Sequence, residues 1–183
     1  VGSIIGDALL SVFGTLNSGT CKSLDALLAA YEIQEIAQAL RLAMTERKKI
    51  IEQDRGFLSP LEQRVYKAVL LEVGVGIDGG EVFYGNIGST ERMTNTVIGD
   101  NVNSASRLEG LTRIYRVPII CSAFVVDEVT EATDRFRFFE LDTVQVKGKT
   151  EGKKIYYPLD TTVATEEDIE RFARFELALK DYY

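Results

Sequence analysis

The sequence predicts one α+β domain with short additions, in which helices pack on a sheet of mainly hairpin-connected strands. Segments with apolar residues at helical spacing alternate with short runs rich in Val, Ile, Phe and Tyr, as such a domain requires. Several of these runs are joined by Gly-Asp or Gly-Gly turns, which are typical of hairpins. The chain has 183 residues, 45% of them hydrophobic, and this is enough for one sizeable core.

Net charge and composition exclude several classes of protein. With 21 Lys and Arg against 28 Asp and Glu, the formal net charge is −7, so no general attraction to nucleic acid or to an anionic membrane is expected. No apolar run approaches the roughly 18 to 20 residues that span a bilayer, and no signal peptide pattern opens the chain. We therefore expect no nucleic-acid partner and no direct membrane contact from this segment.

The available side chains restrict the chemistry. The chain has no histidine, so an enzyme here must use carboxylates, cations and hard metal ions for its chemistry. Cys21 and Cys121 are far apart and match no metal-ligand spacing. This usage predicts reduced thiols in a reducing compartment.

The N-terminal half is predicted to contain a hairpin, a long helix and a short helix. Residues 1–14, VGSIIGDALLSVFG, have two apolar runs around a Gly-Asp turn, the pattern of two tightly joined buried strands. Residues 23–52 form one long amphipathic helix with basic residues near its C-terminal end. Residues 59–69 add a short helix with Ser59 as N-cap and Pro60 at the first helical position, in a segment that is either an insertion or a mobile flap. Because a domain seldom starts on a core strand, N-terminal truncation is expected.

The C-terminal half is predicted to alternate strands and helices. Residues 70–89 contain two strands around Asp78-Gly79-Gly80, which is a hairpin signal. Further along are a helix at about 101–115, a strand at 117–121, a helix at 122–132 with Ser122 as cap, two or three strands within 135–159, and an amphipathic helix whose capping box pairs Thr165 with Asp168. Nothing in the sequence covers the apolar side of this last helix, which we expect to pack on a partner or to lead into another domain.

Three groups of polar residues are candidates for binding or catalysis. Asp7, beside Gly6 in a tight turn, suits a hard metal ion, although a turn Asp often satisfies only its own backbone. Asn103 and Arg107 share one helical face, where an amide can hold a sugar oxygen and a guanidinium a phosphate; an exposed polar stripe is the alternative. Lys147, in the basic turn VKGK, can meet phosphate or be an ordinary surface residue.

Four segments together resemble the catalytic domain of class III nucleotidyl cyclases. In order they are IIGDALLSVFG, VGVGIDGGEVFYGNIGS, TVIGDNVNSASRLEG and VQVKGKTEGKKIYY, within residues 4–157. The resemblance implies a ferredoxin-like, palm-type fold with a central, mainly antiparallel sheet flanked by helices. It further implies a homodimer whose active sites lie at the interface and draw residues from both chains. Residues 1–160 are then the catalytic domain without its first strand and helices, and 161–183 a C-terminal amphipathic helix.

The resemblance also implies a reaction and roles for four residues. The ribose 3′-hydroxyl of ATP attacks the α-phosphorus, giving 3′,5′-cyclic AMP and pyrophosphate with the help of two Mg²⁺ or Mn²⁺ ions. By position, Asp7 is the second of two metal-binding aspartates, Asn103 orients the ribose and Arg107 stabilises charge on the α-phosphate. Lys147 meets the terminal phosphates.

Two further positions of the resemblance concern the choice of base. Ser3 stands at the position where adenylyl cyclases have Lys. At the same position guanylyl cyclases tend to have Glu. Thr96 fits bacterial adenylyl cyclases, so ATP is favoured over GTP. The first metal aspartate of the family belongs to an F-x-D-I strand that would precede Val1. ATP as substrate implies a cytoplasmic location, either by itself or as the cytoplasmic part of a larger, membrane-anchored protein.

Two alternatives remain at this point. A catalytically degenerate cyclase fold that serves for dimerisation or nucleotide sensing is compatible with Ser3 and with the missing first aspartate. The segment DGGEVF, residues 78–83, also looks like the signature hairpin of diguanylate cyclases, but Val82 takes the place of one acidic residue of that signature.

Overall fold

The computed structural model describes residues 2–15, 20–70, 72–89, 92–145 and 152–182. The chain divides into two compact units, Leu28–Val73 and a larger unit made of Val1–Leu27 and Gly74–Tyr183. In chain order the elements are β1 (Gly2–Ile5), β2 (Ala8–Ser11), α1 (Lys22–Arg55), α2 (Pro60–Val69), β3 (Val75–Ile77), β4 (Phe83–Ser89), β5 (Arg92–Ile98), α3 (Asp100–Tyr115), β6 (Ile119–Ser122), α4 (Ala123–Ala132), β7 (Phe136–Gln145), β8 (Gly152–Asp160) and α5 (Glu166–Tyr182).

The larger unit is built on a four-stranded mixed sheet with the strand order β3-β6-β8-β7. Strand β3 runs parallel to β6, whereas β8 is antiparallel to both of its neighbours, β6 and β7. Helices α3, α4 and α5 pack against strands of this sheet. The predicted α+β class, with a mainly antiparallel sheet flanked by helices, is therefore confirmed.

Strand β6 lies at the centre of the core because it has a neighbouring strand on each side and helices against it. Ile119, Ile120 and Cys121 are all 0% exposed. Ser122, at the N-cap position of α4, is equally buried, but its hydroxyl has no hydrogen-bond partner among the described residues, so the predicted side-chain cap is wrong. Ser122 is instead held by the sheet, since it is the last residue of β6 and pairs with Ile155 of β8.

Helix α5 covers one face of this core. Phe172 is 9% exposed, and its ring centroid lies 5.4 Å from that of Phe139 and 4.5 Å from that of Tyr157. Phe139 and Tyr157 are cross-strand partners and therefore project from the same face of the sheet, toward α5. The expectation that the apolar side of α5 has no cover within the chain is thus wrong. Its capping box is confirmed, because Thr165 and Asp168 each accept a hydrogen bond from the backbone N–H of the other at 3.2 Å.

The strands predicted around Asp78 form, but the hairpin between them does not. Strand β3 pairs with β6, and β4 pairs with β5 through the register Phe83↔Ile98 to Ser89↔Arg92. The Asp78 side chain is buried and bound to Lys153 of β8, so this aspartate belongs to the core rather than to an exposed turn. The hairpin prediction is wrong because the two strands beside Asp78 pair with other strands, β3 with β6 and β4 with β5.

The N-terminal hairpin forms as predicted, with Ile5 opposite Ala8 across the Gly6-Asp7 turn. Gly6 has φ of +64°, the left-handed conformation that a tight turn often requires of glycine. The predicted burial of its strands is wrong, because Ile4 is 83% and Leu9 64% exposed. Strands β1 and β2 form a two-stranded sheet of their own within the described part of the chain, so no further strand extends this hairpin there.

The unit Leu28–Val73 contains most of α1 and all of α2. Helix α1 matches the predicted long helix, and the predicted cap of α2 is confirmed. Ser59 Oγ accepts from the N–H of Glu62 at 3.3 Å, and Glu62 Oε2 accepts from the N–H of Ser59 at 2.7 Å. These hydrogen bonds with Ser59 lower the pKa of Glu62.

A buried carboxylate, that of Asp160, lies at the C-terminal end of β8. Asp160 is 2% exposed and accepts hydrogen bonds from Arg135 at 2.6 and 3.0 Å and from the hydroxyl and N–H of Thr162 at 2.7 and 3.0 Å. Burial acts to raise the pKa of Asp160, but the hydrogen bonds from Arg135 and Thr162 outweigh it, so the pKa lies below the ordinary value of 3.8.

This shift predicts a loss of stability in acid. A carboxyl whose pKa is lower in the folded than in the unfolded chain adds stability that is present above the unfolded value and is lost as the pH falls through the folded value. We expect Asp160→Asn to reduce the free energy of unfolding by about 2 kcal/mol at pH 7. The difference from the unsubstituted protein should shrink as the pH falls below 3.8.

Urea unfolding followed by circular dichroism at several pH values measures this difference. Asp134→Asn, which changes an exposed carboxylate close in the chain to Arg135, is the control and should have little effect at any pH. A difference between Asp160→Asn and the unsubstituted protein that stays constant down to pH 2 would contradict the assignment.

Candidate active site

Helix α3 has one buried and one exposed side. Ser104, Leu108 and Thr112 are 5%, 2% and 4% exposed and face the sheet, in agreement with their spacing of four residues. Asn103 and Arg107 are exposed, one turn apart, and neither has a hydrogen bond or ion pair within the described residues. The structure therefore brings the predicted amide and guanidinium onto one accessible stripe.

Close backbone packing fixes the distance of this helix from the sheet. A Cβ on Gly76 of β3 would lie 2.2 Å from the carbonyl oxygen of Ala105 and 2.2 Å from the backbone nitrogen of Glu109, nearer than real Cβ atoms come. A Cβ on Gly74 would lie 2.2 Å from Thr112 Oγ1. The two glycines of the segment VGVG therefore allow α3 to lie directly on β3.

Both ends of α3 are also held. At the N-terminal end, the N–H of Val102 donates to the carbonyl of Gly99 at 3.1 Å, and the Asn101 side chain donates to the carbonyl of Glu81 at 3.3 Å. At the C-terminal end, the Tyr115 hydroxyl donates to the Asp142 carboxylate on β7. The helix is thus a rigid support for Asn103 and Arg107.

The structure also reveals a buried polar cluster that the sequence does not disclose. Lys153 of β8 forms an ion pair with Asp78, whose side chain is 0% exposed, and donates a hydrogen bond to Ser104 Oγ at 3.1 Å. Cys121 lies near this aspartate, and burial together with the Asp78 charge raises the pKa of the thiol, which argues against a nucleophilic role. Cys21 and Cys121 are both free thiols, as predicted.

The other candidate residues lie on two different elements. Thr96 is half-buried on β5, opposite Gly85 of β4, and β5 leads directly into α3. Ser3 is half-buried and Asp7 exposed on the β1–β2 hairpin, which forms a separate sheet. Lys147 lies outside the described residues.

The described residues do not form a complete metal site. Asp7 is an exposed carboxylate at a turn and fits the role of one ligand for a hard divalent cation. Within the described ranges, however, no group of three or more His, Cys, Asp and Glu residues could hold a metal ion.

The mixed, helix-flanked sheet is of the palm type, and comparison with known proteins identifies the family. The chain belongs to the family described as "Adenylate and Guanylate cyclase catalytic domain", which matches residues 3–161. The predicted membership of the class III cyclases is thereby confirmed.

One relative and two solved structures illustrate the similarity. The chain is 44% identical over 87 residues to an adenylate cyclase of Anabaena cylindrica, covering 47% of this chain and 17% of that protein. It resembles the crystal structure of the adenylyl cyclase CyaB from P. aeruginosa with a TM-score of 0.64 at 23% identity, covering 87% of this chain and 71% of that one. For the guanylyl cyclase Cya2 the TM-score is 0.55 at 29% identity, covering 85% and 68%.

The chain spans only 4%, 17% and 12% of the length of three adenylate cyclases that it matches. In the described part of the chain, no helix is long and apolar enough to cross a membrane.

Proposed function

We propose that the chain is the catalytic domain of an adenylyl cyclase that converts ATP to 3′,5′-cyclic AMP and pyrophosphate at a homodimer interface. The observation that carries the proposal is the exposed pair Asn103 and Arg107 on a helix whose opposite side is packed on the sheet. Family membership and the similarity to adenylate cyclases support it.

The chemistry of the two side chains suits this reaction. In the proposed complex, the Asn103 amide hydrogen-bonds a ribose oxygen and orients the 3′-hydroxyl toward the α-phosphorus. The 3′-hydroxyl gives up its proton to water, its oxygen attacks phosphorus as the bond to pyrophosphate breaks, and the Arg107 guanidinium stabilises the negative charge that develops on the α-phosphate. Because one helical turn separates the two residues, the sugar and the phosphate are held in a fixed relation. Bound divalent cations would supply further neutralisation of phosphate charge, with Asp7 as one ligand.

A second copy of the chain is part of the proposal. Asp7 and Ser3 lie on a hairpin that forms its own sheet, whereas Asn103, Arg107 and Thr96 lie on the β5–α3 segment. A site that needs both sets can form when the hairpin of one protomer faces α3 of its partner. Lys147 is proposed to contact the terminal phosphates of the same nucleotide. With ATP as the proposed substrate, we propose a cytoplasmic location, for the chain by itself or as the cytoplasmic part of a larger, membrane-anchored protein.

ATP is the proposed substrate because Thr96 is the residue type that bacterial adenylyl cyclases have at this base-selecting position. GTP is the second candidate because the chain is also similar to the guanylyl cyclase Cya2. Purified protein incubated with Mn²⁺ and either ATP or GTP separates the two, since the proposal expects cyclic AMP from ATP at a higher kcat/KM than cyclic GMP from GTP. A preference for GTP would contradict the assignment of the base.

A catalytically degenerate module is the alternative from another functional class. Ser3, in the place of a base-selecting Lys, favours it. Such a module would bind nucleotide or dimerise and form no cyclic nucleotide at any protein concentration. The adenylyl cyclase should instead show a specific activity that rises with protein concentration as dimers form, and analytical ultracentrifugation of the same samples measures the dimer fraction.

A further inference from the structure

The Lys153–Asp78–Ser104 cluster lies beneath the exposed stripe of α3 and has no part in the proposed reaction. Both carboxylate oxygens of Asp78 are used, one by Lys153 Nζ and the other by the N–H of Gly79 at 2.9 Å. The ammonium group of Lys153 is only partly accessible, with 27% of its side chain exposed, and its hydrogen bond to Ser104 at 3.1 Å reaches α3 from β8. One cation thus joins the end of β3, strand β8 and the helix that carries Asn103.

We propose that Lys153 is a positioning residue, which sets the rotation of α3 about its axis and so aims Asn103 and Arg107 at the nucleotide. The proposal rests on the proposed function of this stripe. Ser104 follows Asn103 directly in the helix, so any rotation that moves Ser104 away from Lys153 turns the neighbouring amide by the same angle.

The geometry separates this role from that of the glycines. The contact at Gly76 limits how far α3 lies from β3, but it leaves the rotation of the helix about its axis to the side-chain contacts of α3. A hydrogen bond from a charged donor is directional, so the contact from Lys153 to Ser104 constrains the angle of the helix as well as its distance. Lys153 cannot follow a rotating helix, because leaving Asp78 would strand a buried carboxylate without its partner.

Three substitutions test the proposal. Lys153→Met removes the charge, Ser104→Ala removes only the acceptor on the helix, and Lys153→Arg restores a cation. We expect Lys153→Met to lower kcat by about 10- to 100-fold with little change of KM for ATP, since misplacement of a reacting group acts on turnover. Ser104→Ala should lower kcat by about two- to tenfold, the effect of one hydrogen bond. Lys153→Arg should recover part of the loss.

Arg135→Met is the matched control, because it also removes a cation from a buried carboxylate, Asp160, which lies at the opposite end of β8 from Lys153. All variants are assayed at a temperature at which circular dichroism shows them to be folded. Arg135→Met should lower the melting temperature and leave kcat per folded molecule unchanged. If Lys153→Met and Arg135→Met behave alike in kcat, Lys153 is only structural and the proposal is overturned. The Ser104→Ala result keeps the test decisive if Lys153→Met fails to fold.

Hydrogen exchange of the α3 amides distinguishes this proposal from the proposed function. Faster exchange over residues 100–115 in Lys153→Met, but not in Arg135→Met, supports positioning even if the unsubstituted protein forms no cyclic AMP, a result that would count against the cyclase proposal alone. Unchanged exchange in both variants overturns the positioning role, whatever the activity.

Discussion

Arg107→Ala is expected to lower kcat for cyclic AMP formation by about 10²- to 10³-fold with little change of KM for ATP, the loss that follows removal of one well-placed donor to a developing charge. The Arg107 side chain is exposed and has no hydrogen bond or ion pair among the described residues, so its removal should cost little stability. The variant therefore tests chemistry rather than folding.

Two further variants make the comparison specific. Arg107→Lys keeps the charge but loses the planar fork that can hold two phosphate oxygens, and we expect an intermediate kcat. Arg113→Ala removes an exposed guanidinium from the same helix, one that is 76% exposed and pairs with Glu109 at 3.5 Å. It should leave kcat within about twofold, as an exposed i,i+4 pair contributes little. Equal activity of Arg107→Ala and Arg113→Ala would remove the central residue of the proposed mechanism.

The local features of the fold could be predicted from the sequence because each depends on neighbouring residues. The Ser59-Pro60 start of α2 and the Thr165-Asp168 start of α5 are visible as short motifs. The exposed stripe of α3 follows from helical periodicity, since Asn103 and Arg107 are four residues apart and therefore lie on the same side of the helix. The other predicted helix and strand segments are present for the same reason, whereas strand β5 (Arg92–Ile98) was not predicted.

Pairings between distant segments could not be predicted in this way. The Gly-Gly segment after Asp78 has the composition of a hairpin turn, yet β3 pairs with β6 and β4 with β5. Composition does not reveal that Asp78 is bound to Lys153, 75 residues further along the chain. The cover of α5 by Phe139 and Tyr157 is likewise a contact between distant segments, which periodicity predicts only as an apolar face in need of a partner.

Gly74 and Gly76 combine a feature that is visible in the sequence with a contact that only the structure identifies. Their presence in an otherwise apolar strand indicates that something approaches the backbone closely, but only the structure identifies α3 as the neighbour. Since α3 carries the proposed catalytic stripe, the side-chain volume at a strand position determines where Asn103 and Arg107 lie.

Gly76→Ala is expected to reduce the free energy of unfolding by about 3 kcal/mol, because the new methyl group would meet the backbone of α3 rather than a flexible side chain. The helix can relieve the clash only by moving away from β3, since the contacts at 2.2 Å involve the Ala105 carbonyl oxygen and the Glu109 nitrogen. This movement opens the packing around Leu108, and we expect cyclic AMP formation to fall as the stripe is displaced.

Gly110→Ala provides the opposite result on the same helix. A Cβ at Gly110 has nothing within 4 Å apart from the helix itself, so alanine should stabilise α3 by about 0.5 to 1 kcal/mol through its higher helix propensity. Urea unfolding of the two variants measures both differences. If Gly76→Ala is as stable as the unsubstituted protein, α3 does not rest on β3 as described, and the rigid support that the mechanism requires for Asn103 and Arg107 is absent.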